Sequence, residues 1–479
     1  MSKEKKEYSA QEVEKLKKLA ESGNADAQYE LGTMYYGNNV RQDDVTAVKW
    51  FTLAAEQGNA EAQSALGWAY RQGRGVALNH TEAMKWLMLA AEQGCSEAKY
   101  RIGCMHESGN GVAKNYAEAM KWYRLAADQG FADAQWSVGD MYEFGHGVPK
   151  DHAEAMKWYE LAAEQGDEYH QNTLGWRYRH GAVGVPPDYK EAMKWYRLAA
   201  DQGNREAQSG LASLYFNGHG VPQDHAEAAR WLKQTADHSN HYPGPAQYEL
   251  GVMYEHGIGV PQNHAEAVRY WRMAAKNSHE GAKFKLGSAY RKGCGVVQDD
   301  AEAMMLYRQV ANEEFMGGSG ISEGFEEKFG ARRDRPEVME WIGSAAKNGN
   351  AGAQYVLGMM HMKPWDGQYD PEKGIGMIRC AAEKGDAMAQ QSLGDMYIGT
   401  GIMNFTVRDC AQAMKWYRLA AEQGNAKAEY GLGRIYEEGH GLAQDAQEAM
   451  RWYQRAADHG DRSADRRLHK IRSRLAAKV

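Results

Sequence analysis

The chain has 479 residues, and its 57 Lys and Arg against 64 Asp and Glu give a formal net charge of −7, which argues against a surface built to track nucleic-acid phosphates. Hydrophobic residues make up 43% of the chain and charged residues 25%, so wholesale disorder is excluded. The chain holds 53 Gly and 14 Trp but only 9 Phe, which indicates that a motif containing Gly and Trp is repeated.

The N-terminal segment has no apolar stretch typical of a signal peptide, and no run of about 18 apolar residues occurs in the chain. The five cysteines lack C-x-x-C spacing, so neither a disulfide framework nor a zinc site is indicated. We therefore expect a cytoplasmic protein without membrane insertion. Residues 1–22 predict one capping helix, because Ser9 and Glu12 have the spacing of a capping box.

A phrase close to A-A-E-Q-G recurs along the rest of the chain, most often after 36 residues. Its last position falls at Gly23, Gly58, Gly94, Gly130, Gly166, Gly203, Ser278, Gly349, Gly385, Gly424 and Gly460. Two longer gaps each have room for two units, which makes twelve units from Gly23 to Gly460.

Each unit predicts two helices, as residues 130–165 illustrate. Apolar residues at helical spacing form a first helix, which ends at Gly145. Asp151 and Glu154 have the spacing of a capping box for the second helix, and Gly166 is its C-cap. The units therefore predict a chain of helix pairs.

Two positions that recur in the same place of each unit, here called slots, predict how the two helices of a pair pack. A glycine in the middle of the first helix, such as Gly139, costs about 1 kcal/mol relative to Ala, so we expect it to permit close approach of the second-helix Trp. Those tryptophans would form a buried ladder, and Trp158→Ala would cost about 3–5 kcal/mol. They are Trp50, Trp86, Trp122, Trp158, Trp195, Trp231, Trp341, Trp416 and Trp452.

The repeated pattern A-x-A-Q-x-x-L-G-x-x-Y-x-x-G-x-G-V-x-x-D-x-x-x-A-x-x-W-Y-x-x-A-A-x-Q-G resembles the SEL-one-like repeat (SLR) family, relatives of the tetratricopeptide (TPR) repeats. The resemblance implies an all-α fold, a right-handed α-solenoid of about twelve antiparallel helix pairs. Family members are generally adaptors or scaffolds for protein complexes, and bacterial members include immunity proteins that neutralise toxins.

The repeats divide the chain into five segments. Residues 1–22 are a capping helix, 23–313 hold repeats one to eight, 349–460 hold repeats ten to twelve, and 461–479 form a basic capping helix. Residues 314–348 lose the first-helix consensus to a Gly-rich stretch from Gly317 to Gly324, which predicts a diverged repeat or a joint. Drift and function both explain this break, and the basic C-terminal face is either a solvated cap or a patch for an acidic partner.

Candidate binding residues are those that vary while the scaffold repeats. Three first-helix slots, spaced four and three residues apart, share one face, and in the TPR-like arrangement that the resemblance implies this face lines a concave groove. We expect a protein or peptide partner there, bound by aromatic anchors and charges. The alternative is that the aromatic members pack between neighbouring first helices. The candidates are Tyr29, Tyr36, Trp68, Arg71, Tyr100, Glu107, Trp136, Glu143, Trp176, Arg179, Phe216, Glu255 and Arg291.

The chemical motifs favour a protein without catalytic, cofactor or metal sites. The Gly-rich stretch lacks the GKS or GKT of a phosphate-binding loop, and the S-x-x-K matches at Ser96 and Ser344 lack SDN and KTG companions. A non-enzymatic adaptor is therefore the main hypothesis. An immunity-type protein against a toxin, an RNA-binding repeat protein and a hydrolase stay as alternatives, and the sequence does not specify the oligomeric state.

Overall fold

Helix-forming repeats punctuated by Gly and Asp give a chain of short helices in the computed structural model. The structure describes residues 10–36, 43–181, 185–237, 244–312, 329–362, 369–399 and 409–476, and within them it contains 25 α-helices and no strand. The chain forms two compact units, Met1–Gln223 and Asp224–Val479. The prediction of an all-α fold of repeated helix pairs is confirmed.

Unit 1 contains twelve of the described helices. They are α1 (Ala10–Glu21), α2 (Ala25–Tyr36), α3 (Asp44–Glu56), α4 (Ala60–Gln72), α5 (His80–Glu92), α6 (Ser96–Ser108), α7 (Tyr116–Ala127), α8 (Ala132–Phe144), α9 (His152–Ala163), α10 (Glu168–His180), α11 (Tyr189–Asp201) and α12 (Arg205–Asn217).

Unit 2 contains the other thirteen. They are α13 (His225–Asp237), α14 (Gly244–His256), α15 (His264–Lys276), α16 (Glu280–Lys292), α17 (Asp300–Asn312), α18 (Ala331–Lys347), α19 (Ala351–His361), α20 (Pro371–Glu383), α21 (Ala387–Ile398), α22 (Cys410–Glu422), α23 (Ala426–Glu438), α24 (Ala446–Asp458) and α25 (Arg462–Ala476).

The start of α9 and the end of α8 lie where the capping residues predict them. The Asp151 carboxylate accepts the backbone N–H of Glu154 at 3.0 Å and begins α9. Gly145 ends α8 with a φ of 71°, a left-handed conformation that favours glycine. The C-cap of α9 is Glu164 rather than the predicted Gly166, which follows two residues later with a φ of 94°. The Gly-rich stretch 317–324 and Ser9 lie outside the described residues, and in the diverged repeat α18 begins at Ala331.

The mid-helix glycine packs against a different residue from the one the sequence suggested. A Cβ atom on Gly139 would lie 2.5 Å from Cε1 of Tyr159, the residue after Trp158. The same clash recurs between Gly32 and Phe51 and between Gly433 and Tyr453. The prediction that this glycine lies under the Trp is therefore wrong, because the side chain one residue later points at the first helix.

The tryptophan ladder is correspondingly less buried than expected. Three of its nine members are buried, namely Trp195, Trp231 and Trp416, and the other six are half-buried. The fully buried series is the next slot, which holds Phe51, Leu87, Tyr123, Tyr159, Tyr196, Leu232, Trp271, Tyr307, Ile342, Ile378, Tyr417 and Tyr453. The buried ladder exists, but its rungs are mainly the Tyr, Leu and Ile side chains.

A glutamine ladder connects successive repeats. Gln135 donates to the carbonyl of Ala127 at 3.3 Å and accepts from Gln165 of the next second helix at 2.7 Å. The Gln-to-Gln bond recurs at Gln63/Gln93, Gln171/Gln202 and Gln390/Gln423. Because each buried amide is satisfied by the neighbouring repeat, the ladder fixes how one repeat stacks on the next.

Candidate interaction surface

The three first-helix slots that hold the candidate residues form a stripe along one face of the first helices. Aromatic side chains in the first of these slots mostly pack on buried rings. Tyr29 lies 6.0 Å from Phe51, and Trp136 lies 4.4 Å from Tyr159, measured between ring centroids. Tyr100 packs on Tyr123 at 5.7 Å. These half-buried aromatic side chains therefore contribute to contacts between helices, and only their outer edges face solvent.

Trp68 on α4 lies beside two arginine side chains of unit 1. The guanidinium carbons of Arg71 and Arg101 lie 4.6 and 4.9 Å from the centre of its ring. Arg101 also donates to the carbonyl of Ser64 at 2.7 Å and pairs with Glu97 at 2.6 Å. No described acidic side chain forms an ion pair with Arg71, so a half-buried indole and an uncompensated cation lie side by side.

Trp176 on α10 is the most exposed tryptophan of the stripe, with 52% of its surface accessible. One face stacks on His180 at 4.3 Å between ring centroids. Tyr169, two turns earlier on the same helix, is 63% exposed. Residues 169, 176 and 180 follow the i, i+7, i+11 spacing, so α10 presents an accessible aromatic face.

Three of the four charged candidates of the stripe in unit 1, Glu107, Glu143 and Arg179, are engaged by neighbouring helices, and Arg71 is the exception. The hydroxyl of Tyr123 donates to Glu107 at 2.6 Å, and Glu143 pairs with His152 at 2.6 Å. Arg179 donates to the hydroxyl of Ser213 at 2.8 Å. These candidates therefore hold adjacent helices in register, whatever else they bind.

Asp140, in the middle slot of the stripe on α8, is held by hydrogen bonds from two other helices, and its pKa is shifted. It accepts hydrogen bonds from the hydroxyl of Tyr159 at 2.7 Å and from Arg177 at 3.0 Å. Burial raises the pKa of this carboxyl, although both partners oppose the shift. The carboxylate is thus a packing element between α8, α9 and α10.

The remaining candidates are either largely buried or paired with charged side chains of the same unit. Phe216 is 6% exposed, because it packs inside unit 1. Tyr36 is half-buried, 5.6 Å from Phe51 and beneath the guanidinium of Arg74. In unit 2, Glu255 pairs with the fully buried Lys285 at 2.7 Å, and Arg291 donates to Glu337.

Neither metal nor membrane features appear in the described part of the chain. No group of three or more His, Cys, Asp and Glu side chains there lies close enough to hold a metal ion. Among the helices of those residues, none combines the length and the apolar character needed to cross a bilayer.

Comparison with known families identifies the repeat. The Sel1 repeat model matches eleven times, at residues 25–59, 60–95, 96–131, 132–167, 171–204, 205–240, 244–279, 281–314, 351–386, 387–425 and 426–461. The chain belongs to the Sel1 repeat family. The recognition made from the sequence is thus confirmed. The model leaves residues 315–350 unmatched, where the consensus is lost.

Several solved Sel1-type structures resemble the chain. A protective antigen of uropathogenic Escherichia coli, which has an SLR fold, is 32% identical over 97% of this chain and 91% of its own, with a TM-score of 0.51. A Sel1 repeat protein from Oxalobacter formigenes is 31% identical over 62% of this chain and 86% of its own, with a TM-score of 0.44. An immunity protein from Pseudomonas aeruginosa is 20% identical over 53% of this chain and 81% of its own, with a TM-score of 0.32. No curated protein matches the chain.

One Sel1 repeat contains a residue that the sequence reasoning overlooked. His170 on α10 occupies the slot that holds Ala27, Ala62, Ala98 and Ala134 in other repeats, and like them it is buried. It lies 5.1 Å from the ring of Trp136, and burial lowers its pKa. Aligning the units would have found it, because a ring replaces a methyl group beside the exposed face of α10.

Proposed function

We propose that this Sel1 repeat protein is a non-enzymatic scaffold that binds a protein or peptide through the first-helix stripe of unit 1. Sel1 repeat proteins are generally scaffolds for protein–protein interaction, which supports the general class. The observation that supports this particular surface is the exposure of Trp176, a large aromatic residue with 52% of its surface accessible to solvent. Tryptophan dominates the energetic centres of protein interfaces.

The fold itself does not require tryptophan at this position. The equivalent slot holds Thr33 on α2, Cys104 on α6, Asp140 on α8 and Ser213 on α12. Trp68 on α4 is the other tryptophan in the slot within unit 1. A residue that stacking does not need, and that exposes apolar surface, is a candidate for a contact with another molecule.

The charges around Trp68 favour a partner segment that carries a carboxylate. Arg71 lies 4.6 Å from the indole centre, and its guanidinium forms no ion pair with any described acidic side chain. A guanidinium binds a carboxylate with two parallel hydrogen bonds, so an acidic residue next to an apolar one would fit this corner. Trp68 and Arg71 then act together as one anchor, and Trp176 acts as the second.

Affinity purification of the full chain from the cells that produce it, followed by mass spectrometry, tests the proposal. Trp68→Ala combined with Trp176→Ala is expected to remove the specific interactors while circular dichroism shows unchanged helix content. Phe144→Ala is the matched control, because Phe144 is also an exposed aromatic of unit 1, at 60%, but lies outside the three slots. Recovery of the same interactors at equal yield with the double variant would contradict the proposal.

The finer roles remain predictions. Cytoplasmic location can be tested by cell fractionation, and toxin neutralisation by co-expression with toxins from the same genome. The RNA-binding alternative predicts that labelled single-stranded RNA is shifted at low salt, and absence of a shift would dispose of it.

A further inference from the structure

A row of exposed leucines runs along the second helices of unit 1. Each leucine occupies the same slot of its repeat, three residues after the Trp slot, and between 43% and 49% of its surface is accessible. The five residues lie on α3, α5, α7, α9 and α11 and are Leu53, Leu89, Leu125, Leu161 and Leu198. Single exposed leucines are ordinary, but five successive repeats with the same one form an extended apolar row.

The slot does not need leucine for folding, as unit 2 demonstrates. There the equivalent residues are Gln234, Met273, Gln309, Ser344, Cys380, Leu419 and Arg455, and the seven second helices that hold them are all formed. Leucine is thus kept in every one of the five repeats of unit 1 and once in unit 2. Something other than stacking accounts for the difference.

Two charged rows flank the leucines. An exposed lysine precedes each leucine by four residues, at Lys49, Lys85, Lys121, Lys157 and Lys194. An exposed acidic residue follows each leucine by three, at Glu56, Glu92, Asp128, Glu164 and Asp201. The lysine, leucine and acidic positions share one helix face, so each second helix presents the same triplet in the same direction.

Contacts between repeats keep these triplets in register. Gln93 bonds to Gln63 and Gln165 bonds to Gln135, 30 residues apart in both cases. Since the same bonds recur from repeat to repeat, equivalent positions line up into three parallel rows: basic, apolar and acidic. The lysines are available to a partner, because their ion pairs, such as Lys121 with Glu118, are exposed pairs within one helix.

We propose that this face is the self-association surface of the chain and that its occupant is the same face of a second copy. A rotation of 180° about an axis along the leucine row brings leucine onto leucine and places each basic row over the acidic row of the other copy. The pattern is therefore its own electrostatic complement, which is the requirement for a two-fold symmetric dimer. The helices that meet run antiparallel.

Light scattering coupled to gel filtration of the full chain tests the proposal. The expected mass is twice 53.6 kDa at high protein concentration, with a concentration-dependent fall to the monomer. Leu89→Glu, Leu125→Glu and Leu161→Glu together are expected to weaken self-association by at least about 100-fold. Leu419→Glu in unit 2, the same slot in a Lys-Leu-Glu triplet outside the row, should leave it unchanged.

A charge exchange makes the test specific for this geometry. A variant with Lys85→Glu, Lys121→Glu and Lys157→Glu should not self-associate, and neither should one with Glu92→Lys, Asp128→Lys and Glu164→Lys. Mixed together, the two variants should form a heterodimer, because acidic rows then face basic rows on both sides. A monomeric wild-type chain at every concentration, a triple leucine variant that still dimerises, or a mixture that stays monomeric would each overturn the proposal.

Discussion

Replacing Gly139 by Ala tests directly why a helix-weakening residue stands in the middle of the first helices. The substitution removes the conformational cost of glycine, which is a gain of about 1 kcal/mol in an open helix. The new Cβ atom would lie 2.5 Å from Cε1 and 2.6 Å from Cδ1 of the Tyr159 ring. Ordinary carbon contacts lie at about 3.5–4.0 Å, so the ring would have to move by about 1 Å.

The packing around Tyr159 opposes such a shift of its ring. Its side chain is fully buried, and its hydroxyl donates to Asp140 at 2.7 Å, so a shift of the ring also strains a buried hydrogen bond. Overpacking of a filled core costs about 1–3 kcal/mol, and we expect the upper end here. After the gain in helix propensity is subtracted, Gly139→Ala should destabilise the repeat by about 2 kcal/mol.

Gly376 on α20 is the matched control, because it is helical and has no heavy atom within 4 Å of the position of a Cβ. Gly376→Ala should stabilise its unit by about 1 kcal/mol. Thermal unfolding followed by circular dichroism gives the sign, and amide hydrogen exchange localises the effect of Gly139→Ala to α8 and α9. If both variants raise the midpoint equally, close packing is not the reason for the glycine.

Three further substitutions test the packing of α9 and the half-buried cap of α16. Tyr159→Ala should cost about 3–5 kcal/mol in urea unfolding, and the half-buried Trp158→Ala clearly less; the reverse order would contradict the assignment of the buried slot. His279 caps α16 by accepting the backbone N–H of Ala282 at 3.2 Å, and burial lowers its pKa from 6.5 to about 4. Because the unfolded chain binds a proton between these values, about 3 kcal/mol of stability present above pH 6.5 should be lost as the pH falls towards 4. His279→Asn, which matches the Asn204 cap of another repeat, should flatten the pH dependence of the unfolding midpoint over that range. An unchanged profile would contradict the assignment of a neutral, half-buried imidazole to the folded state.

The helix pairs and their ends were predictable because they depend on local chemistry. Asp151 caps α9 and Gly145 ends α8 through backbone geometry within a few residues, and both signals recur in most units. The partner of Gly139 was not predictable from the same pattern. Trp158 and Tyr159 are adjacent large aromatics, and a rotation of about 100° along the helix decides which one points inwards.

The accessible part of the proposed interaction surface depends on side chains from other repeats. Trp68 is flanked by Arg101 from the next first helix, whereas Trp176 in the same slot has no such neighbour and stays 52% exposed. The sequence places both tryptophans in the same slot and gives no reason to expect that their exposure differs. Only the stacked helices reveal that they differ, because their environments come from residues about one repeat away.

The division between stacking residues and surface residues determines how the two proposed surfaces can be tested. Repeat stability is close to a sum of terms within each repeat and between neighbours, and here those terms come from buried residues such as Gly139, Tyr159 and Gln135. Trp176 and Leu125 lie outside this set, and other repeats fold with Asp140 or Gln234 in their places. Substitutions at these two positions should therefore change binding or self-association without changing the fold, so that loss of one activity with retention of the other would separate the two surfaces.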